Sequence, residues 1–146
     1  KEEDIENYYF ITNDKFKKII KKNEFLEYAS YNKCYYGTPA KAAMAMVNSG
    51  KICFLIIERK GAQKVMKNCP DAVSIFLMPP DLKTLEKRLK KRNTDSDEQI
   101  INRLEIAKDE IKSSSVFDYV VINNELDKAV NEINKILINE LKKRNA

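Results

Sequence analysis

From Lys41 onward, short apolar runs alternate regularly with segments of helical pattern. The runs ICFLII, AVSIFLM and YVVIN are short and almost continuously apolar, and segments with helical spacing separate them. Strands joined by helices run parallel, and parallel strands are covered on both faces, which explains nearly continuous apolar runs. The pattern therefore predicts an α/β protein with a parallel sheet flanked by helices.

The residues from Tyr8 to Pro39 have a different character. The aromatic-rich runs YYFIT and FLEYASY flank a helical pattern, DKFKKIIKKN, and predict a small and mostly antiparallel lobe. The segment EFLEYASYNKCYYGTP concentrates its aromatic side chains around an acidic position: Phe25, Tyr28, Tyr31, Tyr35 and Tyr36. These side chains either fill a small core or form a slot for a flat ligand, and the pattern alone leaves both interpretations open.

The composition limits the chemistry that the chain can perform. The 146 residues are enough for one domain with a real core, and they include no His and no CxxC pair among the three Cys. This excludes Ser-His and Cys-His pairs and leaves Arg, Lys and carboxylates as catalytic groups. The net charge of +5 favours a phosphorylated or polyanionic partner, although charge alone does not exclude nucleic acid.

The sequence contains no segment typical of membrane insertion. No apolar run approaches the roughly 20 residues that a membrane-spanning helix needs. The first residues, KEEDIENYY, lack the apolar region of a signal peptide. These observations predict a cytoplasmic protein without a membrane partner.

Local signals predict where several helices begin and end. Gly50 is expected to act as the C-terminal stop of the helical segment AKAAMAMVNSG, and Asp81 is expected to cap DLKTLEKRLKKR. Thr94 or Asp95 is expected to cap the next helix. In the last helix, the apolar residues with helical spacing predict a packing stripe: Leu126, Val130, Ile133, Ile136, Leu137 and Leu141.

An arginine cluster on this predicted helical hairpin is the strongest candidate for phosphate chemistry. Arg88 and Arg92 share one helix face, and Arg103 follows in the next helix. Guanidinium groups clamp phosphate oxygens in pairs and stay charged while they do so. The alternative is a solvated face in which the arginines pair with nearby acids: Asp97, Glu98 and Glu105.

Several segments, taken in order, resemble the guanylate kinases. They are EFLEYASYNKCYYGT, the Gly-Ala pair after an apolar run, RLKKRNTDSDEQIINRL and DYVVINNELDKA, and the arginine segment is the most specific. The resemblance covers nearly the whole chain. It implies a P-loop-kinase-like α/β fold with a small GMP-binding lobe at 1–40, core α/β at 41–80, lid helices at 81–104, and core α/β with a C-terminal helix at 105–146.

The resemblance also implies a binding site for GMP. Glu27 falls at the carboxylate that accepts hydrogen bonds from guanine N1–H and the 2-amino group, and Thr38 falls where a small hydroxyl meets the base. Tyr8 and Tyr36 fall where phenols reach the GMP phosphate. Glu58 falls at an acidic position that also serves guanine.

The expected reaction is phosphoryl transfer from ATP to GMP, giving ADP and GDP, with Mg²⁺. By the resemblance, Arg88, Arg92 and Arg103 are the catalytic arginines that contact the ATP phosphates and neutralise charge during transfer. Asn123 falls near the adenine contact. The expected partners are therefore GMP and ATP, without nucleic acid or membrane, as in purine nucleotide metabolism.

The chain departs from the family pattern in two places. It has no Gly-rich loop ending in GK[ST], which in the family lies ahead of this region with the first core strand, so both are expected to be absent. Ile56 replaces an acidic residue associated with Mg²⁺, and a buried Ile cannot hold a water on the metal, so no metal ligand is predicted. Phosphoryl transfer is therefore expected to be impaired or absent in this chain alone. The alternative function is a non-catalytic, guanylate-kinase-like module that binds GMP or another protein.

Overall fold

The structure, a computed structural model, describes residues 8–31, 34–92 and 95–145. The chain divides into two compact units, Lys1–Ala72 and Val73–Ala146. The predicted division into four functional segments, 1–40, 41–80, 81–104 and 105–146, does not correspond to these units and stays a prediction. Within the described ranges, no helix is both long and apolar enough to cross a membrane.

Among its described residues, the first unit contains an antiparallel hairpin and three helices. Its elements, in chain order, are α1 (Asn13–Lys21), β1 (Phe25–Tyr31), β2 (Cys34–Pro39), α2 (Ala40–Asn48) and α3 (Arg59–Asn68). The antiparallel pairing of β1 with β2 confirms the predicted character of this lobe. The Thr12 hydroxyl accepts a hydrogen bond from the Lys15 amide and so caps α1.

The hairpin has a stacked aromatic group on one face and the pair of Glu27 and Thr38 on the other. Phe16 of α1 is buried and stacks on Phe25 and Tyr35, with ring centroids 4.4 and 5.2 Å apart respectively. In the strand register, Glu27 lies opposite Thr38, and Ala29 lies opposite Tyr36. Because side chains alternate between faces along a strand, the polar pair and the stacked aromatic group occupy opposite faces. The stacked group supports the packing interpretation for Phe25 and Tyr35, and the slot for a flat ligand stays a prediction.

The apolar run ICFLII does not form a strand, and this prediction is wrong. Residues 51–58 have no regular secondary structure, and apolar side chains of the run are exposed. Phe54 is 62% exposed, and Ile56, which was expected to be buried, is 100% exposed. A strand depends on a hydrogen-bonded neighbour, and apolar composition supplies no such neighbour.

The second unit contains a parallel strand pair and its helical connection. Its elements are β3 (Ile75–Met78), α4 (Leu82–Arg92), α5 (Asp97–Lys112), a 3₁₀ turn (Ser114–Val116), β4 (Tyr119–Ile122) and α6 (Leu126–Arg144). Strands β3 and β4 are parallel, in register from Ile75 opposite Tyr119 to Met78 opposite Ile122. The α4–α5 crossover between parallel strands confirms the predicted α/β arrangement.

The core of the second unit lies between β4 and α6. Val121 is fully buried and clusters with Ala129 and Ile136 of α6. Partly buried residues pack around this cluster: Val73, Ile75, Tyr119 and Ile133. The predicted stripe on α6 is therefore only partly correct.

Three members of that predicted stripe are exposed to solvent. Leu126, Val130 and Leu141 are 72%, 46% and 39% exposed. The face that packs on β4 instead contains Ala129, Ile133 and Ile136. Sequence spacing defines which residues share a helix face, but the neighbouring element selects the face that is buried.

A polar contact joins the beginnings of β3 and β4. The Asp118 carboxylate accepts hydrogen bonds from the Ser74 amide and hydroxyl, at 2.8 and 2.6 Å. Both bonds lower the pKa of Asp118 below its usual value, and the bond from the hydroxyl has the larger effect. The Asp118 amide in turn donates to the Ser74 hydroxyl, so the two chain segments are joined in both directions.

The helix-end predictions have mixed outcomes. Gly50 follows α2 with a φ of 76°, and the Asp81 carboxylate accepts from the Thr84 amide at 2.6 Å, so both predictions are confirmed. The cap of α5 is Ser96, whose hydroxyl accepts from the Gln99 amide in a reciprocal capping box. The prediction of Asp95 is therefore wrong, and Thr94 lies outside the described residues.

Candidate functional site

The centre of the candidate site is the carboxylate of Glu27 on β1. A register shift between Phe25 and Glu27 marks a bulge that re-aims the following side chains. Glu27 is only 5% exposed, and the Thr38 hydroxyl donates a hydrogen bond of 2.7 Å to its Oε1. The predicted pair of Glu27 and Thr38 is therefore brought together by the hairpin register.

The first turn of α3 passes directly against the same carboxylate. A Cβ atom placed on Gly61 would lie only 2.7 Å from Glu27 Oε2. Glu27 is therefore held between the Thr38 hydroxyl on one side and the backbone of α3 on the other. A carboxylate has about four lone-pair positions, so this arrangement leaves acceptor capacity for a ligand.

The two tyrosines predicted to contact the GMP phosphate also lie together. The rings of Tyr8 and Tyr36 meet edge to face, with their centroids 5.8 Å apart. Tyr36 and Thr38 are alternate residues of β2, so Tyr36 projects from the same hairpin face as Glu27 and Thr38. Tyr8 is 42% exposed, which leaves part of its surface accessible to a ligand.

The predicted acidic position after the apolar run lies at the beginning of α3. Glu58 is the exposed N-cap residue of this helix, and its side chain makes no capping hydrogen bond. Ile56, two residues earlier, has an aliphatic side chain without a donor atom for a metal. Among the described residues, no group of three or more His, Cys, Asp or Glu could hold a metal ion.

In the second unit, the structure joins Arg88 to the residue predicted to contact adenine. Arg88 Nη1 donates to the carbonyl oxygen of Asn123 at 2.7 Å, and Nη2 donates to that of Asn124 at 3.1 Å. These carbonyls follow the carboxyl end of β4, the sheet edge at which open α/β sheets bind ligands. A guanidinium has five N–H donors, so these contacts leave others for a phosphate.

The other two predicted arginines differ in their surroundings. Arg103 of α5 forms an ion pair with Asp95 at 3.2 Å, and both side chains are largely shielded from solvent. Arg92 is exposed and is the last residue of α4. Glu105, one of the acids proposed as a local partner for these arginines, pairs with Lys108 at 2.6 Å.

Sequence reasoning missed two residues that contact predicted site residues. Gly61 had a visible signal, because a glycine within a helical pattern often marks a close approach. Asp95 had been assigned to a helix cap instead, and nothing in the sequence indicated that it pairs with Arg103.

Comparisons with known proteins identify the family of the chain. Residues 1–140 match the family model for guanylate kinase. The chain is 43% identical over 136 residues to a guanylate kinase of Prochlorococcus marinus subsp. pastoris, covering 93% of this chain and 74% of that protein. It is 40% identical over 144 residues to a guanylate kinase of Rickettsia bellii, covering 99% of this chain and 75% of that protein.

A solved structure gives the same result. The crystal structure of guanylate kinase from Anaplasma phagocytophilum superposes with a TM-score of 0.79 at 30% identity, covering 95% of this chain and 68% of that one. The fold and these relatives place the chain among the nucleoside monophosphate kinases of the P-loop-kinase-like α/β class. More specifically, the chain belongs to the guanylate kinase family, whose members are transferases.

Proposed function

We propose that this chain binds GMP on the β1–β2 hairpin and contributes to phosphoryl transfer from ATP to GMP, giving ADP and GDP. The observation that carries the proposal is the nearly buried carboxylate of Glu27, held by the Thr38 hydroxyl at 2.7 Å. A buried carboxylate with unused acceptor positions is costly unless a donor completes it. A ligand with paired N–H donors would supply that partner.

Guanine has the donor pattern that fits this carboxylate. Its N1–H and 2-amino group present donors side by side, whereas adenine presents an acceptor at N1. Adenine would leave the Glu27 carboxylate without its partner, which is the kind of mismatch that a buried polar site rejects most strongly. Glu27 would therefore select guanine over adenine, and Thr38 would fix the direction in which the carboxylate faces.

The phosphate of GMP would lie near the tyrosine pair. Tyr8 and Tyr36 are 5.8 Å apart between ring centroids, and phenol hydroxyls donate hydrogen bonds to phosphate oxygens. The net charge of +5 would favour the approach of nucleotide anions. Glu58 is proposed as a second acidic contact to guanine.

The ATP donor would be bound by residues of the second unit. Arg88, Arg92 and Arg103 would contact its phosphates, and Asn123 would lie next to adenine. Phosphoryl transfer depends mainly on positioning and on stabilising charge, which guanidinium groups supply without a proton transfer. Guanylate kinases use Mg²⁺ with ATP, but Ile56 offers no ligand atom, so no step is assigned to a metal held by this chain.

The first experiment measures nucleotide selectivity by calorimetry. GMP should bind more tightly than AMP. Glu27→Gln should weaken the binding of GMP by about 1–3 kcal/mol, or roughly 5- to 150-fold in affinity, because a charged acceptor is lost. Glu24→Gln is the matched control, since it removes the same charge from an exposed position just before β1. Equal affinity of the unmodified chain for GMP and AMP would overturn the guanine assignment.

A second experiment separates the enzyme from the alternative of a non-catalytic module that binds GMP or a protein. A coupled assay should detect negligible GDP formation by this chain alone, while GMP binding persists. Turnover at an ordinary rate would instead show that these 146 residues suffice for transfer. Tight binding of an acidic or phosphorylated peptide, without GMP selectivity, would favour the protein-interaction module. A cytoplasmic location is part of the same proposal.

A further inference from the structure

Gly61 occupies a position at which its backbone conformation does not require glycine. It lies in the first turn of α3, is buried, and does not have a positive φ. In such a position glycine destabilises a helix by about 0.5–1 kcal/mol relative to alanine. A steric requirement, rather than a conformational one, therefore explains the presence of glycine.

The atom that sets this requirement belongs to the proposed guanine site. A Cβ on Gly61 would lie 2.7 Å from Glu27 Oε2, 3.3 Å from Cδ and 3.5 Å from Cγ. The nearest distance is about 0.7 Å shorter than ordinary van der Waals contact, so one partner would have to move. All three of these nearest atoms belong to the Glu27 side chain.

The carboxylate is the partner that can move at the lowest cost. It ends a flexible side chain, whereas α3 is held against β1 one turn further along. There, Lys64 Nζ donates to the Tyr28 carbonyl at 3.4 Å and lies 4.0 Å from the centre of the Tyr28 ring. A side chain at position 61 would therefore displace the Glu27 carboxylate and leave the packing of α3 largely intact.

We propose that Gly61 is a specificity-determining residue, because its missing side chain gives the Glu27 carboxylate the room to face guanine. The inference rests on the proposed function of Glu27. A carboxylate displaced by several tenths of an ångström, or rotated away from Thr38, no longer accepts two parallel hydrogen bonds with good geometry. Gly61 thus acts through Glu27, as a positioning residue, and has no contact of its own with the base.

The test is Gly61→Ala, measured for both nucleotide affinity and thermal stability. The affinity for GMP should fall about tenfold or more, and the affinity for AMP should stay unchanged, because only the binding of guanine depends on the carboxylate. The melting temperature should stay the same or rise, because alanine favours the helix. Gln63→Ala is the matched control, since it introduces alanine at an exposed position of the same helix and should leave GMP binding unchanged.

A double-mutant cycle with Glu27→Ala identifies the partner of the clash. In the Glu27→Ala background the carboxylate is gone, so Gly61→Ala should lower neither the GMP affinity nor the stability of the protein. If Gly61→Ala unfolds the protein and Glu27→Ala does not restore it, the clash is with the backbone and the inference is wrong.

The remaining outcomes distinguish this inference from the function on which it rests. Unchanged GMP affinity in Gly61→Ala, in a protein that prefers GMP to AMP, would overturn the inference alone. No preference for GMP in the unmodified chain would overturn the proposed function and the inference with it.

Discussion

Replacing Arg88 with Met should destabilise the second unit even when no nucleotide is present. Arg88 is half-buried, and its guanidinium donates to the carbonyls of Asn123 and Asn124 at 2.7 and 3.1 Å. Met retains part of the aliphatic stem and removes both bonds. The substitution therefore tests the contacts to the turn after β4 without testing phosphate binding.

The expected magnitude follows from the surroundings of the two bonds. A hydrogen bond with a charged partner contributes about 1.5–3 kcal/mol when water is excluded. The bond to Asn123 is partly buried, whereas the bond to Asn124 is exposed, and water replaces an exposed bond at little cost. We expect the free energy of unfolding to fall by about 1.5–2 kcal/mol, which corresponds to about 1 M in the urea midpoint.

The assay combines urea unfolding, followed by circular dichroism, with hydrogen exchange at the end of β4. The Asn123 amide donates to the Met78 carbonyl at 2.7 Å, so its exchange reports on this turn directly. Exchange should become faster in Arg88→Met. The control is Arg92→Met, which removes an exposed guanidinium from the same helix and should change stability by less than about 0.5 kcal/mol. Equal midpoints and equal exchange rates in the two variants would refute the reasoning.

Two further predictions concern the folding of each unit. Phe16→Ala should lower the free energy of unfolding by about 3 kcal/mol, because a buried stacked ring is lost; a change below about 1 kcal/mol in urea unfolding would contradict this. Asp118→Asn should lower the free energy of unfolding by about 1 kcal/mol at pH 7, because Ser74 then donates to a neutral acceptor. Since folding lowers the pKa of Asp118 below 3.8, its stabilisation is complete above that value and is lost as pH falls through the lower, folded-state pKa. A stability difference that stays constant down to about pH 2 would show that ionisation of Asp118 is not involved.

Elements with local causes could be predicted from the sequence alone. Helical spacing and side-chain capping predicted α4, including its cap at Asp81. Apolar runs with a helical connection between them predicted the parallel pairing of β3 and β4. The resemblance to the guanylate kinases supplied Glu27 and Thr38, which lie directly opposite each other on the hairpin.

Other features could not be predicted from the sequence, because each depends on which elements pack against each other in the fold. The run at residues 51–58 has the composition of a strand but no hydrogen-bonded neighbour, so it remains irregular. The buried face of α6 was selected by contact with β4, and Arg88 found its carbonyl partners only through the crossover between β3 and β4. The contact of Gly61 with Glu27 likewise exists because α3 lies against β1. Helix periodicity and capping act over a few residues, whereas burial and steric exclusion act between residues far apart in the chain, so a linear pattern does not encode them explicitly.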